Sequence, residues 1–328
     1  MRKNLRVIIP VAGIGSRLRP HTHTVPKPLI PVAGKPVLGH VIDPILELEP
    51  EEFTFVIGHM GDQIADYVRD KYNVKSSFVE QTDLLGLGYA VYLALRDSDN
   101  TPVLIALGDT IARTNFSEFI SGGGNIIALS EVENPDRFGV ALVEGDKITA
   151  FEEKQENAIS NLALIGLYYF EEPEMLKKQL EKLIRSGKKT SGEIQLTDAL
   201  EFMIRDGVKF RPFLVNGWYD CGERVSMLET NRSLLSESSE VADYPGSVII
   251  PPVYISPSAI IEESVIGPFV SISDNAKIHR SVIRDSIICD GAAVEFCLLD
   301  SSLIGEQAVV RGTYCRLNVG DSSEFGYI

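Results

Sequence analysis

The sequence predicts an α/β protein, with a Rossmann-like mixed sheet over residues 1–236, a linker at 237–246 and a left-handed parallel β-helix over 247–328. Three observations predict it. Short apolar runs alternate with amphipathic helical stretches up to residue 236. A glycine-bearing loop, AGIGSRLRP, leaves the first apolar run directly, and open α/β sheets bind ligands at strand ends of this kind. Beyond residue 246 the helical period gives way to a spacing of five or six residues.

Leu5 to Ile9 is a buried strand running into the stretch Val11 to Pro36. There Gly13 and Gly15 let the backbone approach a phosphate closely, and Arg17 and Lys27 add positive charge. Pro36 to Leu48 has helical spacing, with a bend or break expected at Pro44, which lacks an N–H and crowds the preceding turn. Strands at Phe53 to Gly58 and Val74 to Val79 flank a helix from Asp62 to Tyr72. A second glycine loop, Glu80 to Gly88, opens a helix from Tyr89 to Leu95.

The apolar strand Pro102 to Leu107 ends on Gly108-Asp109. A carboxylate just past a buried strand is a candidate functional group, although a turn or helix-cap aspartate also fits. Further strands are expected at Ile126 to Ser130, Phe138 to Val143, Lys147 to Phe151 and Leu162 to Phe170, then a helix from Met175 to Ile184. GEIQLTDAL, Gly192 to Leu200, opens another helix, and the region closes with Lys209 to Val215, Gly217 to Gly222 and a helix from Arg224 to Leu235.

In the last region Ile260, Ile266, Ile272 and Ile278 stand six apart, and Ile283, Ile288, Val294, Leu299, Ile304 and Val310 follow at five or six. Small residues often precede them by two, among them Ser258, Ser264, Ala276, Ser281 and Ala292. The pattern resembles the hexapeptide repeat of left-handed parallel β-helices, with the aliphatic residue inside the prism and the small one at the corner. A β-sandwich of short strands is the alternative. The aromatic tail, Phe325 to Ile328, is expected to cap the coils or dock on a neighbour.

The net charge of -15 argues against a nucleic-acid or anionic-membrane partner. Cys221, Cys289, Cys297 and Cys315 have neither zinc-site nor disulfide-framework spacing, which fits reduced thiols in the cytoplasm. The N-terminal run reads as a strand rather than a signal peptide, and no stretch is long enough to span a bilayer. His21 and His23, two apart in a loop with no third ligand, read as ordinary loop histidines.

The phosphate loop fits neither common template. A dinucleotide fold needs a third glycine where Leu18 stands and an acidic residue about twenty positions on, and a P-loop needs Gly-Lys-Ser/Thr. AGIGSRLRP followed by VPKPLIPVAGKP instead resembles the signature of sugar-1-phosphate nucleotidylyltransferases, and the motifs EQ...GLG, LGDT, FGV, EEK, GEIQLTDAL and WYDCG follow in that family's order. The resemblance covers essentially the whole chain. It implies a nucleotide held by Ala12, Gly13, Gly15 and Ser16, with Arg17 and Lys27 on the phosphates that leave as pyrophosphate.

It further implies that Gln81 and Gly86 read a pyrimidine, that Asp109 and Asp220 bind Mg²⁺, and that Gly139, Glu153, Lys154 and Glu193 hold the sugar phosphate. The partners implied are a nucleoside triphosphate, a sugar-1-phosphate and further copies of this chain. UTP and dTTP present the same edge, so the base stays open, with glucose-1-phosphate the expected sugar. Mannose-1-phosphate with GTP, or a nucleotide-sugar-binding regulator without catalysis, are the alternatives. Independently of any family, two unit like charges roughly 4 Å apart repel by about 4 kcal/mol at an effective dielectric near 20, so a phosphate attacking a phosphate requires nearby cations.

Overall fold

A computed structural model describes residues 4–154, 157–237 and 244–312. The chain forms two compact units, Met1–Ile30 with Lys35–Met227 and Pro31–Gly34 with Leu228–Ile328.

The strands of the first part are β1 (Arg6–Pro10), β2 (Pro31–Val32), β3 (Lys35–Pro36), β4 (Glu52–Ile57), β5 (Ser76–Glu80), β6 (Val103–Ala106), β7 (Thr110–Arg113), β8 (Asn125–Glu131), β9 (Gly139–Glu144), β10 (Lys147–Glu153), β11 (Leu162–Phe170), β12 (Phe210–Leu214) and β13 (Gly217–Asp220). The helices are α1 (Val37–Leu46), α2 (Gly61–Lys71), α3 (Leu87–Leu95), α4 (Phe116–Ser121), α5 (Glu174–Ser186), α6 (Leu196–Arg205) and α7 (Arg224–Leu235). Nine strands make one mixed sheet in the order β5-β4-β1-β6-β11-β8-β12-β10-β9. Its first four are mutually parallel, whereas β11 runs antiparallel to β6 and β8.

Alternating side chains of β1 divide between two apolar layers. Ile8 packs with α3 and α5, while Val7 and Ile9 pack with α1 and α2, so helices cover both faces. Three sequence expectations change. Helix α1 runs unbroken through Pro44 to Leu46. Burial of Val37, Leu38, Val41, Ile42 and Ile45 on one face offsets the hydrogen bond that Pro44 cannot make. Helix α3 starts at Leu87 rather than Tyr89, and within GEIQLTDAL the helix starts only at Leu196, because Thr190 and Glu193 are bridged as extended chain.

In the second unit, strands β14 (Val248–Ile249), β15 (Val253–Ile255), β16 (Ile260–Glu262), β17 (Val265–Ile266), β18 (Val270–Ile272), β19 (Lys277–His279), β20 (Val282–Arg284), β21 (Ile287–Ile288), β22 (Ala293–Glu295), β23 (Leu298–Asp300), β24 (Leu303–Ile304) and β25 (Val309–Arg311) form three four-stranded parallel sheets. Every third strand pairs in register, Val248 with Val265 and Val265 with Val282, so the chain returns on itself about every 16 to 17 residues. This is consistent with a β-helix. Ile266, Ile272, Ile278, Ile283, Ile288 and Val294 are fully buried, with Ser264, Ala276, Ser281 and Ala292 buried two places before four of them.

Ile260 does not follow the pattern. It is 48% exposed, and Ile261 faces inward with Ile278 and Val294. The inward residue two places after Ala259 is therefore Ile261, and a one-residue offset reverses which side chain is buried. Cys221, Cys289 and Cys297 are buried, and burial next to Glu306 and Asp290 pushes the Cys289 thiol up to about 12. Cys315, the tail Phe325 to Ile328 and most of the expected linker lie outside the described residues. Among the described residues no helix is long and apolar enough to cross a membrane.

Candidate active site

The loops that leave the C-terminal ends of β1, β5 and β6 converge on a cavity of about 460 Å³. Parallel pairing puts these ends on one edge of the sheet, the edge where α/β folds take ligands. The β1 loop supplies Ala12, Gly13, Gly15 and Ser16, the β5 loop Gln81, Leu84 and Gly86, and the β6 loop Leu107, Gly108 and Asp109, with Lys27 and Glu193 completing the wall.

Gly15 is needed for local geometry. It sits at φ 69°, and a Cβ there would stand 2.9 Å from the Thr22 methyl and 3.0 Å from Lys27 Cβ. The buried Thr22 hydroxyl donates to Gly15 O at 2.8 Å and so folds the loop back onto Lys27. At Gly13 nothing lies within 4 Å of the position a Cβ would take. The fold has no steric need for glycine there, which leaves room for a ligand. Gly13→Ala is expected to melt within about 1 °C of wild type, since an open surface position changes stability little, and to weaken triphosphate binding. Thermal melts and nucleotide titrations check both parts.

Gln81 is buried, and its carboxamide donates to Asp83 O at 3.2 Å and Gly86 O at 3.4 Å. The loop is tied to a distant segment, with Ile194 N–H donating to Leu85 O at 2.7 Å and Gly88 N–H to Ile194 O at 2.8 Å. Gln81 and Gly86 of one loop and the distant Glu193 thus belong to one wall.

Asp109 and Asp220 meet through antiparallel pairing of β7 with β13. Thr110 faces Asp220, and Cys221 N–H donates to Asp109 O at 3.0 Å. Lys27, buried, holds its ammonium 2.5 Å from Asp109 Oδ2. Burial opposes charge on Asp109, but the Lys27 cation and its hydrogen bond, with the Thr110 hydroxyl, hold its pKa below the ordinary carboxylate value. Asp220 moves the other way. Burial and the neighbouring Asp109 raise its pKa, only partly offset by Lys27, the Gly222 N–H at 2.8 Å and Arg17. Arg17 Nη2 and the Asp220 carboxylate both lie within 3.1 Å of where a Gly222 Cβ would project.

Two hard carboxylates on facing strands, each disfavouring the other's charge, form a donor set that fits Mg²⁺, which takes one or two carboxylates and fills the rest with phosphate oxygens and water. Among the described residues no group of three His, Cys, Asp or Glu side chains gathers as a metal site, around His21 and His23 or elsewhere. Burial lowers the His21 pKa.

A separate group forms at the end of β10. Thr197 Oγ1 donates to Glu153 Oε2 at 2.6 Å, a Cβ on Gly139 would come within 3.0 Å of the same oxygen, and Lys154 Nζ stands 3.6 Å from Glu153 Oε1. Lys154 adopts φ 36° and donates its N–H to Phe138 O at 3.2 Å. A non-glycine residue in this region is strained and persists only where its surroundings fix it. Its side chain is 52% exposed and free to reach a ligand.

The expected residues therefore fall into three groups: the cavity wall, the pair Asp109 and Asp220 with Lys27 and Arg17, and Gly139 with Glu153 and Lys154. Sequence reasoning missed Thr22 and Thr197. Thr197 lies inside GEIQLTDAL, which was its one available signal.

The "Nucleotidyl transferase" family matches residues 6–237. A low-salt glycan biosynthesis nucleotidyltransferase, Agl11, of Haloferax volcanii is 36% identical over 69% of this chain, and the match spans 65% of that relative's length. A glucose-1-phosphate thymidylyltransferase of Streptomyces griseus is 28% identical over 97% of this chain and 98% of its own. Among solved structures, a UDP-glucose pyrophosphorylase complexed with UDP-glucose superposes with a TM-score of 0.63 at 25% identity, covering 72% of this chain and 100% of that one.

Proposed function

The chain belongs to the nucleotidyl transferase family, and on that premise we propose that it joins a pyrimidine nucleoside triphosphate, UTP or dTTP, to glucose-1-phosphate, releasing pyrophosphate. The observation that carries this reading is the convergence on one sheet edge of the glycine loop, buried Lys27 and two facing carboxylates. Relatives named for thymidylyl transfer to glucose-1-phosphate and for UDP-glucose support the substrate class.

In this reading the backbone from Ala12 to Ser16 cradles the triphosphate, and Gln81 and Gly86 face the base. Lys27 and Arg17 neutralise the β- and γ-phosphates. Lys154 holds the sugar's phosphate, Glu153 its hydroxyls, and Glu193 lies toward the sugar pocket. The phosphate of the sugar attacks the α-phosphorus, that new P–O bond forms as the bond to the β-phosphate breaks, and pyrophosphate leaves on Lys27 and Arg17. The nucleophile is ionised at neutral pH, so no serine, cysteine or histidine is needed, and positioning with charge neutralisation does the work. Asp109 and Asp220 would hold Mg²⁺, which would supply charge for the reacting phosphates.

The three parallel sheets of the second region support a β-helix, which we read as left-handed and as serving subunit contact in a homo-oligomer acting in the cytoplasm. A pyrophosphate-release panel across UTP, dTTP, GTP, ATP and CTP tests the base assignment. Turnover is expected with UTP or dTTP, and exclusive use of GTP or ATP would overturn it.

A further inference from the structure

Strand β11 is interrupted where it passes the cavity. Against β8 its register jumps between Leu164 and Tyr168, which stand opposite Leu129 and Ile127, so Ile165, Gly166 and Leu167 are accommodated against Ala128 alone. Against β6 the ladder ends at Leu167 opposite Ala106. Extra residues in one strand make a bulge, and a bulge beside a site re-aims what is fastened to it.

Fastened here is the turn that carries Asp109. Leu107 N–H donates to Gly166 O at 2.9 Å, and Thr110 N–H closes the turn on Leu107 O at 3.4 Å. Gly108 N–H reaches Pro10 O at 3.3 Å, and Cys221 N–H holds Asp109 O at 3.0 Å. Three neighbouring segments thus each grip one residue of the turn. The grip from β11 depends on glycine. Gly166 is buried at φ 80°, and a Cβ there would stand 2.6 Å from Leu107 Cδ1 and 2.7 Å from Leu107 Cγ. Ile165 and Leu167, on either side, are each 2% exposed and have no room to yield. Leu107 does, because it lines the cavity, and Asp109 lies only two residues beyond it.

We propose that Gly166 is a positioning residue for Asp109. Lacking a side chain, it lets the Leu107–Thr110 turn close onto the β11 bulge, and so sets where the Asp109 carboxylate stands beside Asp220. This role rests on the reading of Asp109 as a metal ligand.

The test uses the full chain. Gly166→Ala is expected to leave triphosphate binding in chelator unchanged while lowering kcat about ten- to a hundredfold, the scale of a misplacement of about 1 Å. Without any substrate, it is expected to weaken Mn²⁺ binding by the protein about tenfold, as for loss of support behind a metal ligand, read from the paramagnetic signal of the free ion. Gly187→Ala supplies the same backbone strain at φ 67° with nothing within 4 Å of its Cβ position, and is expected to melt lower with wild-type kinetics and Mn²⁺ affinity. Adding Leu107→Ala to Gly166→Ala removes the obstructing atoms and is expected to recover part of the Mn²⁺ affinity. Should Gly166→Ala not fold, Leu107→Phe presses on the same bulge from the other side and is expected to give the same metal-selective loss. Unchanged kcat and Mn²⁺ affinity in Gly166→Ala, an equal loss in Gly187→Ala, or no recovery in the double variant would overturn the inference. A wild type that releases no pyrophosphate from any pair would overturn the functional reading instead, while the Mn²⁺ comparison would still decide the role of Gly166.

Discussion

Asp109→Asn and Asp220→Asn are each expected to lower kcat by about a thousandfold or more, the scale seen when charge stabilisation at a reacting centre is removed. Binding of the triphosphate should persist, because the glycine loop and Lys27 are untouched. The melting temperature of metal-free Asp220→Asn should equal or exceed that of wild type. Asp220 has a pKa raised by burial and by Asp109, so the folded state holds its proton more tightly than the unfolded state does. Such a carboxylate costs stability as pH rises through its folded pKa, and an amide removes that cost at neutral pH. Pyrophosphate release and thermal melts in chelator check both halves. Near-normal turnover in either variant would show that the reacting centre lies elsewhere.

Lys27→Met is expected to lower kcat/KM for the triphosphate by about a hundredfold or more, as for loss of a charged donor to the transferring phosphates. Its effect on stability should be the reverse of that of Asp220→Asn. Lys27 holds the Asp109 pKa below the ordinary value against the opposing effect of burial. That stabilisation is present above the unfolded carboxylate pKa of about 3.9 and is lost as pH falls through the lower folded value. Lys27→Met should therefore melt lower than wild type at neutral pH, with the gap narrowing as the carboxylates protonate. Lys27→Arg should recover only part of the activity, because Lys27 is buried, with its Cβ against Gly15 and its ammonium on Asp109, and a planar guanidinium does not occupy a point-charge site. Melting curves between pH 7 and pH 3 follow the sign directly.

The parts of this molecule that could be read from sequence are those written in short-range pattern. Apolar runs located the strands, and Asp109 stood out because a fully buried strand ends on it. The repeat was visible because an inward-facing aliphatic residue recurs in most of the short strands, and the assignment of Ile260 failed because spacing alone does not say which of two adjacent isoleucines faces inward. The break offered at Pro44 does not occur for a related reason, since local propensity carries no information on how much core a helix face buries. Thr22 was invisible and Thr197 was marked only by lying inside GEIQLTDAL, because each acts through a hydrogen bond to a partner chosen by the fold. The pairing of β7 with β13, which brings Asp220 beside Asp109, was legible only through the likeness of the motif order to sugar-1-phosphate nucleotidylyltransferases.

The most direct test is to quantify both products with Mg²⁺, glucose-1-phosphate and UTP or dTTP. The account predicts that pyrophosphate and a nucleoside diphosphate glucose appear in equal amounts, that neither forms when the sugar phosphate is omitted, and that both vanish in Asp109→Asn. Phosphate release that does not depend on a sugar phosphate, or a full yield of both products from Asp109→Asn, would contradict it.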